Sequence, residues 1–326
     1  MTVNAICLMG PTATGKTELA IALCKRFPLD IVSVDSAMVY RGMDIGTAKP
    51  DPATLARFPH RLVNIRDPEA SYSAGDFVRD AQREILAIAA AGRIPLLVGG
   101  TMMYFRSLTE GIASLPGADT ALRAAIDAEA YELGWPAMHA KLARVDAASA
   151  ARIEPNDRQR IQRALEVFQL SGRPLSAWQA DSGSDTGVEA ANTGVVYHKF
   201  ALGITPRSLL HQRIERRLDG MFREGFLTEV SGLMARPDLT AEHPSMRAVG
   251  YRQVWSHLAG EYPLEIARQR ALAATRQLAK RQLTWLRSDA SITRFDALES
   301  RTIDAISVRL AGILGAIDHS PQQGLC

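Results

Sequence analysis

One octapeptide near the N-terminus constrains the fold more than any other stretch of this chain. Residues 10–17 have the sequence GPTATGKT and directly follow the apolar run Ala5–Met9. They satisfy the pattern G-x-x-x-x-G-K-[ST], in which glycines let backbone amides converge on an anion and a lysine adds positive charge. Such a loop joins a buried strand to a helix, whose N-terminal end also attracts anions. The sequence therefore predicts an α/β fold that binds a polyphosphate.

Short apolar runs that alternate with helical patterns extend this prediction along the chain. Five runs are interpreted as buried strands: Ala5–Met9, Ile31–Val34, Leu62–Ile65, Ile94–Val98 and Val195–Ile204. Helical patterns follow at Glu18–Phe27 and Phe77–Ala91, and such alternation favours a parallel sheet. Because ligands bind at the carboxyl ends of parallel strands, we expect Gly10, Asp35 and Thr101, which follow three of the runs, to border the phosphate site.

The composition and residue pattern of the sequence change after about Ala118. Residues 118–194 lack strong strand-like runs, are rich in Ala, Arg and Glu at helical spacing, and end in a polar Gly/Ser-rich stretch (180–194). We interpret them as a helical insertion domain ending in a surface linker, within an α/β core formed by residues 1–117 and 195–326. The core after about Ser208 is predicted to be helical and basic, and its tip at 319–326 to be disordered.

Composition narrows the class of protein. With 47% apolar and 22% charged residues, the 326-residue chain can bury a core. A net charge of +3 means that any surface for a polyanion must come from clustered basic residues. The three cysteines are far apart, which supports neither a disulfide framework nor a zinc module. No run reaches the ~18 apolar residues that span a bilayer, so we expect a cytoplasmic protein without a membrane partner.

Asp35 ends the second predicted strand, and three interpretations of it stay open on the residues alone. It could hold Mg²⁺ through water beside the phosphates. It could take a proton from an acceptor substrate bound opposite the phosphates. It could also be no more than a cap of the strand end, since aspartate commonly bonds backbone amides just after it.

Seven collinear segments between residues 10 and 287 carry a more specific signal. They are GPTATGKT, DSAMVYRGMDIGTAKP, DPEASYSAGDF, VGGTMMYFRSL, PNDRQRIQRALEV, MRAVGYRQ and TRQLAKRQLTWLR. Together they resemble the bacterial tRNA dimethylallyltransferases, also called tRNA isopentenyltransferases. Met38 stands where many relatives have Gln, so no side-chain hydrogen bond is assigned there. The cysteines of the zinc-finger extension found in eukaryotic members have no counterpart.

The resemblance implies a parallel sheet of the P-loop nucleoside-triphosphate-hydrolase type and a prenyl transfer. The five-carbon group of dimethylallyl diphosphate would move to the exocyclic amine (N6) of the adenosine at tRNA position 37, directly 3′ of the anticodon. The tRNAs would be those that read codons starting with U, and the products N6-isopentenyladenosine and diphosphate. Since that adenosine is stacked in the anticodon loop, it has to be extruded into the pocket, and we expect donor and base to enter a channel from opposite ends.

The same resemblance assigns the residues that grip the leaving group. Diphosphate binding is assigned to Gly10, Pro11, Thr12, Ala13, Thr14, Gly15, Lys16, Thr17 and Arg217. Thr17 is also expected to hold Mg²⁺, while Lys16 and Arg217 neutralise the charge that develops on the diphosphate. Without the resemblance, Arg217 could equally lie on a solvated helix face with Arg213 and Arg216.

Two further residues are assigned to the acceptor. Asp35 would orient and deprotonate the attacking amine, because a carboxylate that accepts its hydrogen bond makes a weakly nucleophilic amine more reactive. Thr101 matches the family position that contacts the adenosine, although from the residues alone it could be a helix N-cap. The predicted catalytic residues are therefore Lys16, Asp35, Thr101 and Arg217.

A basic helix is predicted to lie against the tRNA. The stretch from Ala267 to Arg287 contains no acidic residue, and Arg276, Lys280 and Arg287 share one helix face. That arrangement suits a phosphate backbone but also a solvated surface helix. The resemblance assigns contacts with the tRNA anticodon stem-loop to Asp35, Ser36, Ala37, Met38, Thr101, Arg123, Gln159, Arg160, Ile161, Gln162, Arg163, Glu242, Met246, Arg247, Thr275, Arg276, Gln277, Lys280, Arg281 and Gln282.

Three rival functions share parts of this pattern. A small-molecule or nucleoside kinase has the same loop and sheet but needs ATP and usually an arginine-bearing lid. An adenylate isopentenyltransferase, which modifies free adenine nucleotides, has a similar core in a shorter chain without tRNA-binding elements. An RNA-binding regulator with a decayed loop is disfavoured by the intact Gly15-Lys16-Thr17 and by Asp35. We expect the protein to act as a monomer.

Overall fold

A parallel sheet organises the chain, of which the computed structural model describes residues 2–111, 115–181 and 194–318. Within these residues the strands are β1 (Val3–Met9), β2 (Leu29–Val34), β3 (His60–Arg61), β4 (Ile94–Gly99), β5 (Val195–Gly203) and β6 (Thr293–Asp296). They form one sheet in the order β3-β2-β4-β1-β5-β6, and every neighbouring pair is parallel. The predicted parallel α/β class is confirmed.

Helices connect the strands and follow the last of them. In chain order they are α1 (Lys16–Cys24), α2 (Pro52–Arg57), α3 (Ala74–Ala90), α4 (Met102–Thr109), α5 (Thr120–Leu133), α6 (Trp135–Val145), α7 (Ala147–Ala150), α8 (Arg158–Ser171), α9 (Leu175–Asp181), α10 (Arg207–Arg223), α11 (Phe226–Met234), α12 (Tyr251–Leu258), α13 (Leu264–Ser288) and α14 (Thr302–Asp318). Most of the region after β5 is therefore helical, as the sequence predicts.

The sheet is buried on both faces because successive side chains of a strand point to opposite sides. Cys7 and Met9 of β1 pack into one core, which includes residues of α3, α11 and α12. Ile6 and Leu8 pack into the other core, which includes residues of α1 and α14. Strands covered on both faces have near-continuous apolar sequences, and this explains why β1 shows no alternation of polar residues.

The residues between β4 and β5 form a compact unit of their own. The chain divides into Met1–Leu108 with Gly194–Cys326, and Thr109–Thr193. The second unit contains α5 to α9 around a core that includes Ile126, Leu142 and Leu165. The sequence put a helical insertion at 118–194, and its role as an RNA-contacting domain stays a prediction. Residues 182–193 of the predicted linker and the tip at 319–326 lie outside the described residues.

Two local expectations about strands are wrong. The run Leu62–Ile65 is not a strand, because β3 is limited to His60–Arg61 and the backbone then turns through left-handed φ values of 64° at Leu62 and 57° at Asn64. The region predicted to be helical also contains β6, whose four residues include Thr, Arg and Asp and so carry little of the apolar signal of a buried strand.

The register of the sheet brings three strand ends to one level. Met9 of β1 pairs with Gly99 of β4, and Gly99 pairs with Val34 of β2. A Cβ atom at Gly99 would lie 2.0 Å from the carbonyl oxygen of Val34, so this approach requires glycine. The residues that follow, Gly10, Asp35 and the Gly100 turn, therefore emerge side by side at the carboxyl edge of the sheet.

Candidate active site

The phosphate loop joins β1 to α1 and is shaped by two left-handed residues. Ala13 has φ 64° and Gly15 has φ 86°, and Gly15 is the N-cap of α1. The Thr14 hydroxyl donates to the carbonyl of Pro11 at 2.8 Å and closes the loop on itself. Because the first amides of a helix have no intrahelical acceptor, the loop offers N–H groups and a positive helix end to an anion.

Two cations line this loop, Lys16 from its own C-terminal end and Arg217 from α10. Both are enclosed by surrounding protein while keeping a partly exposed surface. Lys16 Nζ donates to the carbonyl of Pro11 at 2.7 Å. Arg217 donates from Nη1 to the Thr12 hydroxyl at 3.3 Å and from Nη2 to the carbonyl of Thr47 at 3.2 Å. The long side chain of Arg217 on α10 thus bonds both the phosphate loop and the segment after β2.

The electrostatics of this pair favour an anion. Burial, helped by the charge of Arg217, lowers the pKa of Lys16 to about 8, while Asp35 and Glu18 oppose the shift. Burial also lowers the pKa of Arg217, again against the carboxylates. Arg217 Nε is buried and has no hydrogen-bond partner among the described residues. A buried donor of this kind is unusual, and a phosphate oxygen would satisfy it while relieving the repulsion between the cations.

Arg213 is a loop contact that the sequence left on a solvated helix face. Its Nε donates to the carbonyl of Ala13 at 2.8 Å, although the side chain is otherwise exposed. Arg213 precedes Arg217 by four residues on α10, so both lie on one face of that helix. The i, i+4 spacing was therefore the signal that could have separated Arg213 from its exposed neighbour Arg216.

Asp35 and Thr101 lie at the ends of the neighbouring strands β2 and β4. Asp35 Oδ1 accepts from the backbone amides of Ala37 at 2.8 Å and Met38 at 3.2 Å, so the carboxylate does cap the strand end. Among the described residues no bond uses Oδ2, which stays available to a substrate. Thr101 Oγ1 accepts from the amide of Ser36 at 3.1 Å, which ties the Thr101 turn to the Asp35 turn, while the Thr101 carbonyl accepts the first amide bonds of α4.

A carboxylate that sequence reasoning missed holds the loop facing Arg217. Glu229 of α11 accepts from the consecutive amides of residues 44–46 at 2.9, 2.6 and 3.0 Å, and from the Tyr251 hydroxyl at 2.6 Å. The same loop continues into Thr47, whose carbonyl accepts from Arg217. Nothing in the local sequence marks Glu229, since its partners lie about 180 residues earlier.

The residues assigned to tRNA differ in how far they reach solvent. Exposed residues are Ser36, Gln159, Arg160, Glu242, Arg247, Gln277, Lys280 and Arg281. Partly exposed residues are Asp35, Ala37, Met38, Thr101, Arg123, Gln162, Arg163, Thr275 and Arg276. Ile161, Met246 and Gln282 are buried, the first two inside apolar cores, so an RNA contact by these three side chains is not supported. The other assignments stay predictions.

The basic stretch of α13 is acid-free in sequence but not in space. Arg268 donates to Asp219 at 2.7 Å and Arg276 to Glu215 at 3.1 Å, and both carboxylates belong to α10. Lys280, Arg281 and Arg287 are exposed and form no ion pair with any residue that the structure describes. We name these three residues the α13 basic patch, which is shorter than the predicted stripe because it loses Arg276.

In the second unit, a buried carboxylate orients two of the predicted RNA-binding arginines. Glu166 is 0% exposed and accepts from Arg123 at 2.8 and 3.0 Å and from Arg163 at 2.7 Å. Burial disfavours the charged carboxylate, but the bonds from the arginines outweigh this effect and hold the pKa of Glu166 below its ordinary value. Arg160 of the same helix stays exposed, 3.4 Å from Asp157.

Neither a metal cluster nor a membrane-spanning helix is found in the part of the chain that the structure describes. No group of three or more His, Cys, Asp or Glu side chains there could ligate a metal ion. The helices within the same residues lack the combination of length and apolar character that crossing a bilayer requires.

Comparison with known proteins decides the family. The model of the IPP transferase family matches residues 38–289, and that of the isopentenyl transferase family matches residues 1–66. A tRNA dimethylallyltransferase from Hahella chejuensis is 52% identical over 308 residues, which cover 92% of this chain and 93% of that protein. This chain belongs to the tRNA dimethylallyltransferase family.

Solved structures of tRNA dimethylallyltransferases agree in fold. The tRNA isopentenylpyrophosphate transferase of Bacillus halodurans has a TM-score of 0.69 and 34% identity, and the match covers 98% of this chain and 100% of that one. A eukaryotic dimethylallyltransferase acting on tRNA has a TM-score of 0.77 at 24% identity, covering 99% of this chain and 81% of that one, and shows the fold alone. The predicted family, enzyme class and P-loop type of sheet are confirmed.

Proposed function

We propose that the protein transfers the dimethylallyl group of dimethylallyl diphosphate to the N6 amine of the adenosine directly 3′ of the anticodon in tRNA. Membership of the tRNA dimethylallyltransferase family supports a prenyl transferase. One observation carries the assignment of the site: the enclosed cations Lys16 and Arg217 lie at a sheet edge where the strand bearing Asp35 ends beside the strand bearing Thr101.

In this proposal the diphosphate is a leaving group. The bond between the prenyl carbon and the bridging oxygen breaks, the bond from that carbon to N6 forms, and the diphosphate departs with the bonding electrons. Its growing negative charge is neutralised by the loop amides, by Lys16 and by Arg217, whose unpartnered Nε supports a further phosphate contact. Fixed charges in an enclosed site act strongly on charge that develops in the transition state.

The residues at the loop fit a magnesium ion that is bound largely through the diphosphate. Mg²⁺ usually keeps several waters and takes only one or two protein oxygens beside substrate phosphates. Thr17, in the first turn of α1, offers a hydroxyl of this kind. When bound, such an ion supplies additional neutralisation of the leaving group, while the chain's own residues orient the donor.

The acceptor side rests on Asp35 and Thr101. The two amides on Oδ1 hold the Asp35 carboxylate in one orientation, and its Oδ2 is assigned to accept the hydrogen bond and then the proton of N6. Thr101 is assigned to contact the adenosine, supported by its bond to the amide of Ser36, the residue next to Asp35. All four catalytic assignments fall within one chain, and the proposal includes action on tRNA as a monomer in the cytoplasm.

Binding of the anticodon stem-loop is assigned to exposed basic residues. The α13 basic patch offers positive charge without internal neutralisation, and such charge binds a phosphate backbone by releasing its counterions. In the second unit, Arg160 is exposed, while Arg123 and Arg163 are held by Glu166. Arginines in fixed orientations suit directed contacts with bases or phosphates better than freely moving ones.

A transfer assay tests the proposal against its rivals. The purified chain is incubated with labelled dimethylallyl diphosphate and unmodified tRNA, in parallel with free AMP as the acceptor and with labelled ATP as the donor. We expect label in tRNA, at the adenosine beside the anticodon. Transfer to AMP but not to tRNA would indicate the adenylate-modifying class, and phosphoryl transfer without prenylation would indicate a kinase; either result overturns the proposal.

A further inference from the structure

A buried glutamine connects two parts of the site that are distant in sequence. Gln282 of α13 is 7% exposed. Its Oε1 accepts from the backbone amide of Thr12 at 3.1 Å, and its Nε2 donates to the carbonyl of Gly100 at 2.7 Å. One side-chain amide thus joins the phosphate loop to the turn that precedes Thr101, across separations of 270 and 182 residues.

The fit around this amide is tight. A Cβ atom at Gly100 would lie 2.5 Å from Nε2 of Gln282 and 3.2 Å from the carbonyl oxygen of Gly10. The Gly100 turn can therefore approach the glutamine only as glycine backbone. Ala279 and Leu286, one turn to either side on α13, are buried as well and fix the helix against the core. Small movements of the amide are thus opposed from both sides.

The hydrogen bonds of Gln282 also distinguish its role from those of its neighbours on α13. Both polar ends of its side chain are used within the protein, whereas Lys280 and Arg281 are exposed. One face of the helix therefore offers charge to a polyanion while the opposite face holds the phosphate loop. The family resemblance assigned all three residues to tRNA, and only the packing distinguishes Gln282 from the other two.

We propose that Gln282 is a positioning residue, which sets the spacing between the phosphate loop and the Thr101 turn, and so between the prenyl donor and the adenosine. This rests on the proposed function of the site. Transfer between two bound molecules requires the reacting atoms to be held about 3–3.5 Å apart, and a misplacement of about 1 Å lowers the rate roughly 100-fold. A side chain that bonds both loops at once is suited to hold that distance.

Two substitutions of Gln282 separate this role from plain structural support. Gln282→Met keeps the length of the side chain but leaves the Thr12 amide and the Gly100 carbonyl without a partner. Gln282→Glu behaves differently in its two protonation states: the ionised carboxylate repels the Gly100 carbonyl, whereas the protonated form can donate to it and accept from Thr12. Nearby Lys16 and Arg217 favour the ionised form and burial opposes it, and Lys280 and Arg281 face solvent on the same helix.

The test measures kcat and KM for dimethylallyl diphosphate at saturating tRNA, between pH 5 and 8, together with Tm. Gln282→Met is expected to lower kcat about 100-fold with little change in KM. For Gln282→Glu, the ratio of its kcat to that of the unsubstituted enzyme is expected to rise as the pH falls, because the acid restores the donor. The matched control is Gln269→Met, an exposed glutamine on the same helix, which should leave every parameter unchanged.

Each outcome decides the matter. A kcat for folded Gln282→Met within threefold of the unsubstituted value overturns the inference. If that variant fails to fold, the pH response of Gln282→Glu decides, since a weakened fold would not regain activity in acid; a flat ratio then overturns the inference. An unsubstituted enzyme that does not prenylate tRNA refutes the proposed function instead, so the two failures are distinguishable.

Discussion

The cations of the phosphate loop and those of the α13 basic patch are the same residue types in opposite settings. Lys16 and Arg217 are enclosed, burial lowers the pKa of both, and the charge of Arg217 further disfavours that of Lys16, whereas Lys280 and Arg281 are exposed and form no ion pair within the described residues. Charges in an enclosed site interact strongly and are little screened, while exposed charges are screened over about 10 Å. The first pair therefore suits one small anion and the second suits a long polyanion.

A further pair of arginines on α13 shows that packing decides whether a cation is available to a partner. Arg268 and Arg276 belong to the same acid-free stretch as Lys280 and Arg281, yet Asp219 and Glu215 of α10 neutralise them. Basic residues on one helix can thus either form ion pairs within the protein or stay exposed to bind a partner. The following predictions, from the largest expected effect to the smallest, test whether the enclosed and exposed sets differ as proposed.

Removal of the enclosed arginine should have the largest effect. We expect Arg217→Ala to lower kcat/KM for the donor roughly 100- to 1,000-fold, since the developing oxyanion charge then lacks one of its hydrogen-bond donors. Arg217→Lys should recover little, because one ammonium group cannot reproduce the planar fork that bonds Thr12, Thr47 and a phosphate. Steady-state kinetics at two salt concentrations measure the effect, with the exposed Arg216→Ala as control. A loss that disappears at high salt would contradict an enclosed role.

Substitution of the acceptor-side carboxylate should act on kcat alone. Asp35→Asn keeps an oxygen that can accept from the amides of Ala37 and Met38 but cannot accept a proton from N6. We therefore expect kcat to fall roughly 100-fold with almost no change in KM for the donor or in Tm. Single-turnover prenyl transfer with saturating substrates measures the chemical step. A variant with the unsubstituted rate would limit Asp35 to capping the end of β2.

The pH profile should report the enclosed lysine. The pKa of Lys16 in the free enzyme is lowered to about 8, so the amine is charged below that pH and increasingly neutral above it. Because the diphosphate binds the charged form, kcat/KM for the donor should fall as the pH rises through 8, approaching tenfold per pH unit. Lys16→Ala should have a lower kcat/KM at every pH and should not show this decline above pH 8. The same decline in that variant would assign the titration to another group.

The α13 basic patch should give the smallest effect and the strongest dependence on salt. Lys280→Ala and Arg281→Ala are each expected to weaken tRNA binding a few-fold and to reduce the slope of log K against log salt by about 0.9 for each phosphate that is no longer neutralised. Binding titrations between 50 and 200 mM salt measure the slope. Arg268→Gln, whose parent side chain is paired with Asp219, is the matched control. Equal slopes in all variants would remove the distinction between exposed and enclosed cations.

Local patterns made the fold and part of the site predictable. The glycine and lysine spacing of residues 10–17 predicts a strand, a loop and a helix because backbone conformation over a few residues depends on those residues. Apolar runs located four of the strands, and strand ends located Asp35 and Thr101. The short polar strand β6 was not predicted because Thr293–Asp296 contains too few apolar residues to indicate a buried strand.

The sequence by itself determined that this chain builds a parallel sheet with a phosphate loop, since the conformational needs of that loop are local. Only the tertiary structure decided which side chains meet there. Gln282, Glu229 and Arg213 form hydrogen bonds at the site with residues about 180 to 270 positions away in the sequence. Carboxylates of α10 likewise neutralise two arginines of α13, although α13 itself has no acidic residue from Ala267 onward. Such long-range contacts depend on how the helices pack and on which face of each helix is buried. The spacing of residues within a single segment does not contain that information.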